Sequence, residues 1–267
     1  MKTWIVRALV VIGLLFFGWI GHFFLAPRGL AWIVWTVASV IGAFVALEVI
    51  LRTRKRRKER ADWARFEAAV TDPGSRREVI RELVREIDRA RRFGPRGRMP
   101  HARLAVRLAE LHLANDDAEK ALQALAKVPV TELEPLPAAV VRCARAQAYL
   151  HAGDADGAHA ALSPLGAELG AAAIGDPVLD ATLALARGGL ALERGDPDAA
   201  LQAARSVTAL AEPHDELWDE ARALEAAALD AQGASDEAAE TLGSIRATGR
   251  ARLEAIGTAR VRRLLAA

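Results

Sequence analysis

The sequence predicts an all-α protein, with an N-terminal transmembrane hairpin of two helices followed by an α-solenoid of helix-turn-helix repeats. Three observations carry that expectation. Two uncharged runs of 18 residues, Ala8 to Leu25 and Leu30 to Leu47, open the chain. Residues 101–267 hold 47 alanines but only two aromatics, Tyr149 and Trp218, a composition that disfavours β-sheet, whose pleated surface is covered by β-branched and aromatic side chains. A helix-turn-helix spacing then recurs four times.

Each apolar run is about the length that crosses a bilayer core, and with their flanks the spans are read as about 4–25 and 30–51. In the first, 12 of the 18 residues are Leu, Ile, Val or Phe, which favours insertion by roughly 5 kcal/mol. Only Ala26, Pro27, Arg28 and Gly29 separate the runs, so a tight proline-glycine turn is expected. A cleaved signal peptide is the alternative reading of the first run; the second span that follows at once argues against it. Orientation follows from charge. Arg52, Arg54, Lys55, Arg56, Arg57, Lys58 and Arg60 crowd the exit of the second span, whereas the turn has Arg28 alone, which places both termini in the cytoplasm. The same basic residues are expected to contact anionic lipid headgroups. No aromatic stacking platform accompanies them, so nucleic acid is not an expected partner. Glu48 and Arg52 lie four residues apart, the spacing of a helical ion pair. The stripe Ala38, Gly42, Ala46 suits close helix packing, either within the hairpin or in an oligomer.

Two helices, Glu59 to Val70 and Ser75 to Phe93, are expected next, broken at Asp72, Pro73 and Gly74. The segment GPRGRMP, 94–100, reads as a linker. The expected division is 1–51 for the membrane hairpin, 52–100 for a basic segment and helical neck, 101–249 for four repeats, and 250–267 for a helix closing the end of the solenoid.

The four repeats place a small residue (Ala109, Ala146, Gly188, Ala226), a turn (Asn115-Asp116, Gly153-Asp154, Gly195-Asp196, Gly233-Ala234) and a later alanine (Ala121, Ala158, Ala200, Ala238) at fixed intervals. Small residues at those positions let two antiparallel helices approach. Glycine supplies positive φ at the turn, and the Asp or Ser after it caps the next helix. This pattern resembles the tetratricopeptide repeat, with turns 37, 42 and 38 residues apart and Tyr149 as the retained aromatic. The resemblance implies stacked antiparallel pairs and a binding groove lined by each first helix. On this chain that groove maps onto Arg103, Glu110, Gln147, His151, Glu193, Glu220 and Asp230, with Cys143 and Gly189 among their neighbours. From Leu111 to Gly249 there are 9 basic and 23 acidic residues, so basic protein segments are the expected partners.

A hairpin anchor, a basic stop and cytoplasmic repeats together also resemble the HemY-type inner-membrane proteins. That resemblance implies a part in a membrane-associated pathway such as haem metabolism, although this chain has a shorter turn and fewer repeats. The sequence contains no evident catalytic motif, so no enzyme activity and no cofactor is expected. Phosphate-binding and dinucleotide-binding glycine patterns are missing. His151, Asp154, Asp156 and His159 cluster around one turn, but their spacing fits no calcium loop and Asp154 reads as a helix cap. Cys143, the single cysteine, reads as a small apolar spacer.

Overall fold

The computed structural model describes residues 31–165, 176–213 and 215–266. The first span, the proline-glycine turn and residues 166–175, in the long connection between the second and third repeats, lie outside the described residues. So do the side chains of residues 31–47, and with them the stripe Ala38, Gly42, Ala46. Among the described residues there is no strand, and no helix is long and apolar enough to cross a membrane.

Two compact units divide the chain, Met1–Ala64 and Arg65–Ala267. The boundary falls inside helix α1, Ala31–Thr71. In the first unit the described basic side chains between Arg52 and Arg60 are exposed, and Arg52 pairs with Glu48 one helical turn earlier.

The second unit is a succession of antiparallel helix pairs. The end of α1 packs with α2, Pro73–Arg92; the following pairs are α3, Arg98–Leu113, with α4, Ala118–Ala126, and α5, Pro135–Ala152, with α6, Ala155–Leu162. Next come α7, Pro177–Glu193, with α8, Pro197–Thr208, and α9, Glu216–Ala231, with α10, Ser235–Gly243. Sequence spacing dictates these pairs. Ala109, Ala146 and Ala226 are buried where they meet the second helix, as are Ala121, Ala158, Ala200 and Ala238 on that helix. At Gly188 even a methyl group would sit 2.7 Å from the Leu224 side chain and 2.9 Å from Ala203. The next positions of the second helices, Leu125, Leu162, Ala204 and Leu242, are buried as well, each leucine contributing ~1.5 to 3 kcal/mol of burial.

Positive φ occurs at the expected turns, on Gly153, Gly195 and Gly233. In the first pair the residue is Asp116 (φ 57°), an αL position that a short polar side chain tolerates. Asp154 and Asp196 cap α6 and α8 by accepting from the Gly157 and Ala199 amides. Asp117, one residue past the expected turn, caps α4. The fourth turn departs from the expectation. Ala234 holds the cap position of α10 and has no side chain to offer, while the Ser235 hydroxyl donates to Asp230.

The segment 94–100 is not a linker. Its first part is a 3₁₀ turn, Gly94–Gly97, and α3 begins at Arg98. Phe66, Val70, Val79, Leu83 and Ile87 share one core with Ala102, Ala105, Leu108 and Ala109. The presumed neck is therefore one more helix pair of the same stack. Glycine at 97 is required because a Cβ there would lie 1.8 Å from the Ala90 carbonyl oxygen. Buried Arg76 ties this pair to the next: its guanidinium donates to the carbonyls of Ala69, Val70 and Ala114 and to the Asn115 side chain.

The C-terminus departs furthest from the expectation. In place of one end-closing helix over 250–267 there are two, α11, Ala247–Ile256, and α12, Ala259–Ala266. Both turn back along the stack, where α11 packs on α9 and α3 and α12 on α9 and α5. The break between them falls at Gly257, where extended backbone (ψ 169°) ends α11.

Candidate functional site

The face lined by α3, α5, α7 and α9 is where the sequence placed a groove, and the chain's own α11 and α12 occupy it. Apolar side chains on one side of this strap explain why it lies there. Leu253 and Val261 join the core of α9 and α10, and Ile256 joins that of α3 and α5.

Charge then fixes its register. The Arg252 guanidinium donates to both carboxylate oxygens of Glu67, at 3.0 and 3.1 Å, and to Glu110 at 3.0 Å, with Glu216 at 4.0 Å. Burial alone would lower its pKa, but Glu110, Glu220, Glu67 and Glu216 together outweigh that and hold it above the ordinary arginine value. Its carboxylate neighbours respond to burial first. Glu110 and Glu216 are pushed up, and Glu220 is pushed up to about 7, with Arg252 opposing and Glu110, Glu216 and Asp219 adding to the shift. One guanidinium is thus shared among more carboxylates than it neutralises.

Asp219, 2% exposed, accepts from Arg246 at 3.1 Å through Oδ2, while its Oδ1 is buried with no partner. A recess of about 100 Å³ lies beside it, bounded by Glu67, Glu216, Glu220, Arg246 and Arg252.

The other end of the strap is held through backbone. Gln147 donates to the Ile256 carbonyl at 3.2 Å. Buried His151 presents Nδ1 to the Gly257 carbonyl at 2.9 Å and Nε2 to Asp116 at 3.1 Å. Both partners are acceptors, and a neutral imidazole has one N–H to donate. Burial, and then the charge of Arg262, hold the His151 pKa below its ordinary value. Arg262 donates to Asp116 at 2.7 Å and to the His151 carbonyl, and Arg260 approaches Glu193 at 3.8 Å.

Five of the residues mapped from sequence, Glu110, Gln147, His151, Glu193 and Glu220, therefore meet the strap or border the space beside it. The other two, Arg103 and Asp230, are exposed, and Asp230 accepts from the Ser235 hydroxyl of its own turn. Cys143 is not a groove neighbour but the small apolar spacer that its surroundings suggested. It is buried in the core of α5, α6 and α7, where burial pushes its thiol up to about 11. Sequence reasoning missed Glu67, Asp116, Glu216 and Asp219 as partners of the C-terminus. The available signal was the pairing of an acidic repeat region with a tail holding five arginines. Among the described residues no cluster of His, Cys, Asp or Glu is arranged to hold a metal ion.

Two substitutions probe this geometry. Alanine in place of a helix-interior glycine ordinarily stabilises by ~1 kcal/mol. At Gly249, however, the added Cβ would fall 2.2 Å from Asp219 Oδ2 and 2.6 Å from its Cγ, and Arg246 already holds that buried carboxylate. Overpacking of ~1 to 3 kcal/mol prevails, so Gly249→Ala should lower the denaturation midpoint. A raised midpoint would refute the close approach of α11 to α9.

Glu220 carries the second. Its folded pKa of about 7 exceeds the ordinary unfolded carboxylate value. The stability linked to its proton is thus fully present below the unfolded pKa, near ~4.3, and lost as pH rises through the folded one. Glu220→Gln stays neutral throughout and should melt higher than wild type at pH 8 by roughly 3 °C. That advantage should disappear at pH 4; an equal advantage at both pH values would refute the assignment.

No family model matches the chain, and neither does any curated protein or solved structure compared with it.

Proposed function

We propose that the chain is a membrane-anchored scaffold that holds a tetratricopeptide-like α-solenoid at the cytoplasmic side of a bacterial-type inner membrane. The array recruits other proteins and does no chemistry of its own. The anchor rests on the two uncharged runs before the RTRKRRKER stretch, which also sets the orientation and contacts lipid headgroups. Recurring helix pairs with the same small residues and the same turn conformation support the solenoid. The observation that carries the binding reading is the acidic face of α3, α5, α7 and α9, where Glu110, Gln147, His151 and Glu193 engage the arginine-bearing helices α11 and α12 and the turn between them, and Glu220 borders the space beside them.

Crosslinking with mass spectrometry in native membranes tests the scaffold reading. The array should crosslink to one or a few proteins, and failure to capture any protein while control complexes are captured would end it. The topology has its own test. A fluorescent reporter fused after Ala267 should be active and an alkaline phosphatase fusion at the same point inactive, with the reverse pattern overturning the orientation.

A further inference from the structure

We propose that α11 and α12 form a displaceable strap over the array's binding groove, and that the partner for this groove is a protein segment forming an arginine-bearing amphipathic helix that takes the strap's place. The inference rests on the binding reading above and adds what is bound and how access is controlled.

Three observations carry it. First, the strap is seated as a ligand would be. One guanidinium, Arg252, enters a ring of carboxylates from three different helices, and apolar Leu253 and Ile256 follow at the spacing of one helix face. Second, the match is incomplete. Of the seven buried side-chain polar atoms without a hydrogen-bond partner among the described residues, five lie in this interface: Glu193 Oε1, Asp219 Oδ1, and the Nε atoms of Arg252, Arg262 and Arg260, the last 3.8 Å from Glu193 Oε2. Buried polar groups in a permanent core are nearly all paired, so the strap is less completely matched to its groove than a core helix is to its neighbours. Third, the groove has charge to spare, because Glu67, Glu110, Glu216 and Glu220 surround Arg252 and Asp219 keeps an oxygen unpaired beside the recess. A segment with one more cation than the Arg246 and Arg252 pair that already borders that recess would fill it and bind better than the strap does.

The test uses the purified full chain in detergent and, as probe, a fluorescein-labelled peptide of residues 247–266. In the wild type the tethered strap competes with the peptide. In the Arg252→Ala/Arg262→Ala chain the strap is loosened, so the peptide should bind at least tenfold more tightly than to wild type, and salt should weaken that binding. Equal affinity for the two chains, or no binding to either, overturns the proposal. Exchange of strap segments between copies, seen as a dimer that forms on concentration, would make a second copy the occupant and also overturn it. Hydrogen exchange on the wild-type chain needs no variant to fold: the amides of α11 and α12 should exchange together and at least tenfold faster than those of α5 and α9. Equal protection would show a permanent core element. A strap that proves fixed leaves the crosslinking test of the scaffold untouched, and a scaffold without partners leaves the exchange result standing.

Discussion

Arg252→Ala should detach the C-terminal strap at a cost of about 3 kcal/mol. The guanidinium side chain is 12% exposed and its partners Glu67, Glu110 and Glu216 are 29%, 26% and 42% exposed. Removing one member of a buried ion pair costs ~3 to 5 kcal/mol because the remaining charge is left uncompensated, and partial exposure of the carboxylates puts this case at the lower end. Release of the strap lets those carboxylates hydrate, so the loss stays local. Amides of α11 and α12 should exchange about a hundredfold faster, while those of α5 and α7 change little. Arg252→Lys keeps the charge but loses the fork that reaches Glu67 through Nη1 and Glu110 through Nη2, and should fall between. Arg250 is an exposed position on the same helix, and its alanine variant should stay within ~0.5 kcal/mol of wild type. Unchanged strap protection in Arg252→Ala would contradict the ion-pair account.

Arg76→Leu should be the most damaging single change in the array, at about 3 to 5 kcal/mol, or roughly 10 °C in melting temperature. Arg76 is 5% exposed and donates to Ala69 O at 2.8 Å, Val70 O at 2.7 Å and Asn115 Oδ1 at 2.8 Å, as well as to Ala114 O. Three of these acceptors are carbonyls at the C-terminal ends of α1 and α3, where no further helical turn supplies donors. Leucine would fill the volume and leave all four acceptors without their donor. Lysine reaches fewer of them and should recover about half of the loss. A loss below ~1 kcal/mol for Arg76→Leu in a thermal melt would mean that these carbonyls find other donors.

The turns and helix pairs were legible in the sequence because they are local. Ala109 and Ala121, or Ala146 and Ala158, are separated by one helix-turn-helix, and positive φ and capping act within a few residues. The same reading failed at 94–100, since Gly97 marks a close approach to Ala90 and not the end of a domain. It failed in part at the groove for a different reason. The resemblance to a tetratricopeptide array says which positions of α3 or α9 line the inner face, and so marked Glu110 and Glu220. It says nothing of which distant segment covers that face. Glu67 and Arg252 are 185 residues apart, and Asp116 and Arg262 are 146 apart; no spacing rule spans such distances. A net charge of opposite sign in the repeats and the tail was the one long-range hint.

Occupation of the inner face by the C-terminal helices is most directly tested by a disulfide trap between Gly189 and Thr258. A Cβ built at Gly189 lies 3.7 Å from Thr258 Cγ2 and 3.0 Å from Leu150 Cδ1; Thr258 Cβ is therefore further than Cγ2, toward the upper end of a disulfide's Cβ separation of ~3.5 to 4.5 Å, and the Leu150 side chain must give way slightly. The Gly189→Cys/Thr258→Cys chain should be oxidised at high dilution and digested with trypsin. The account predicts an intramolecular link between peptides 188–194 and 253–260, formed in wild-type background and lost when Arg252→Ala is added. Free thiols in the otherwise wild-type background, or crosslinks only between separate chains, would contradict it.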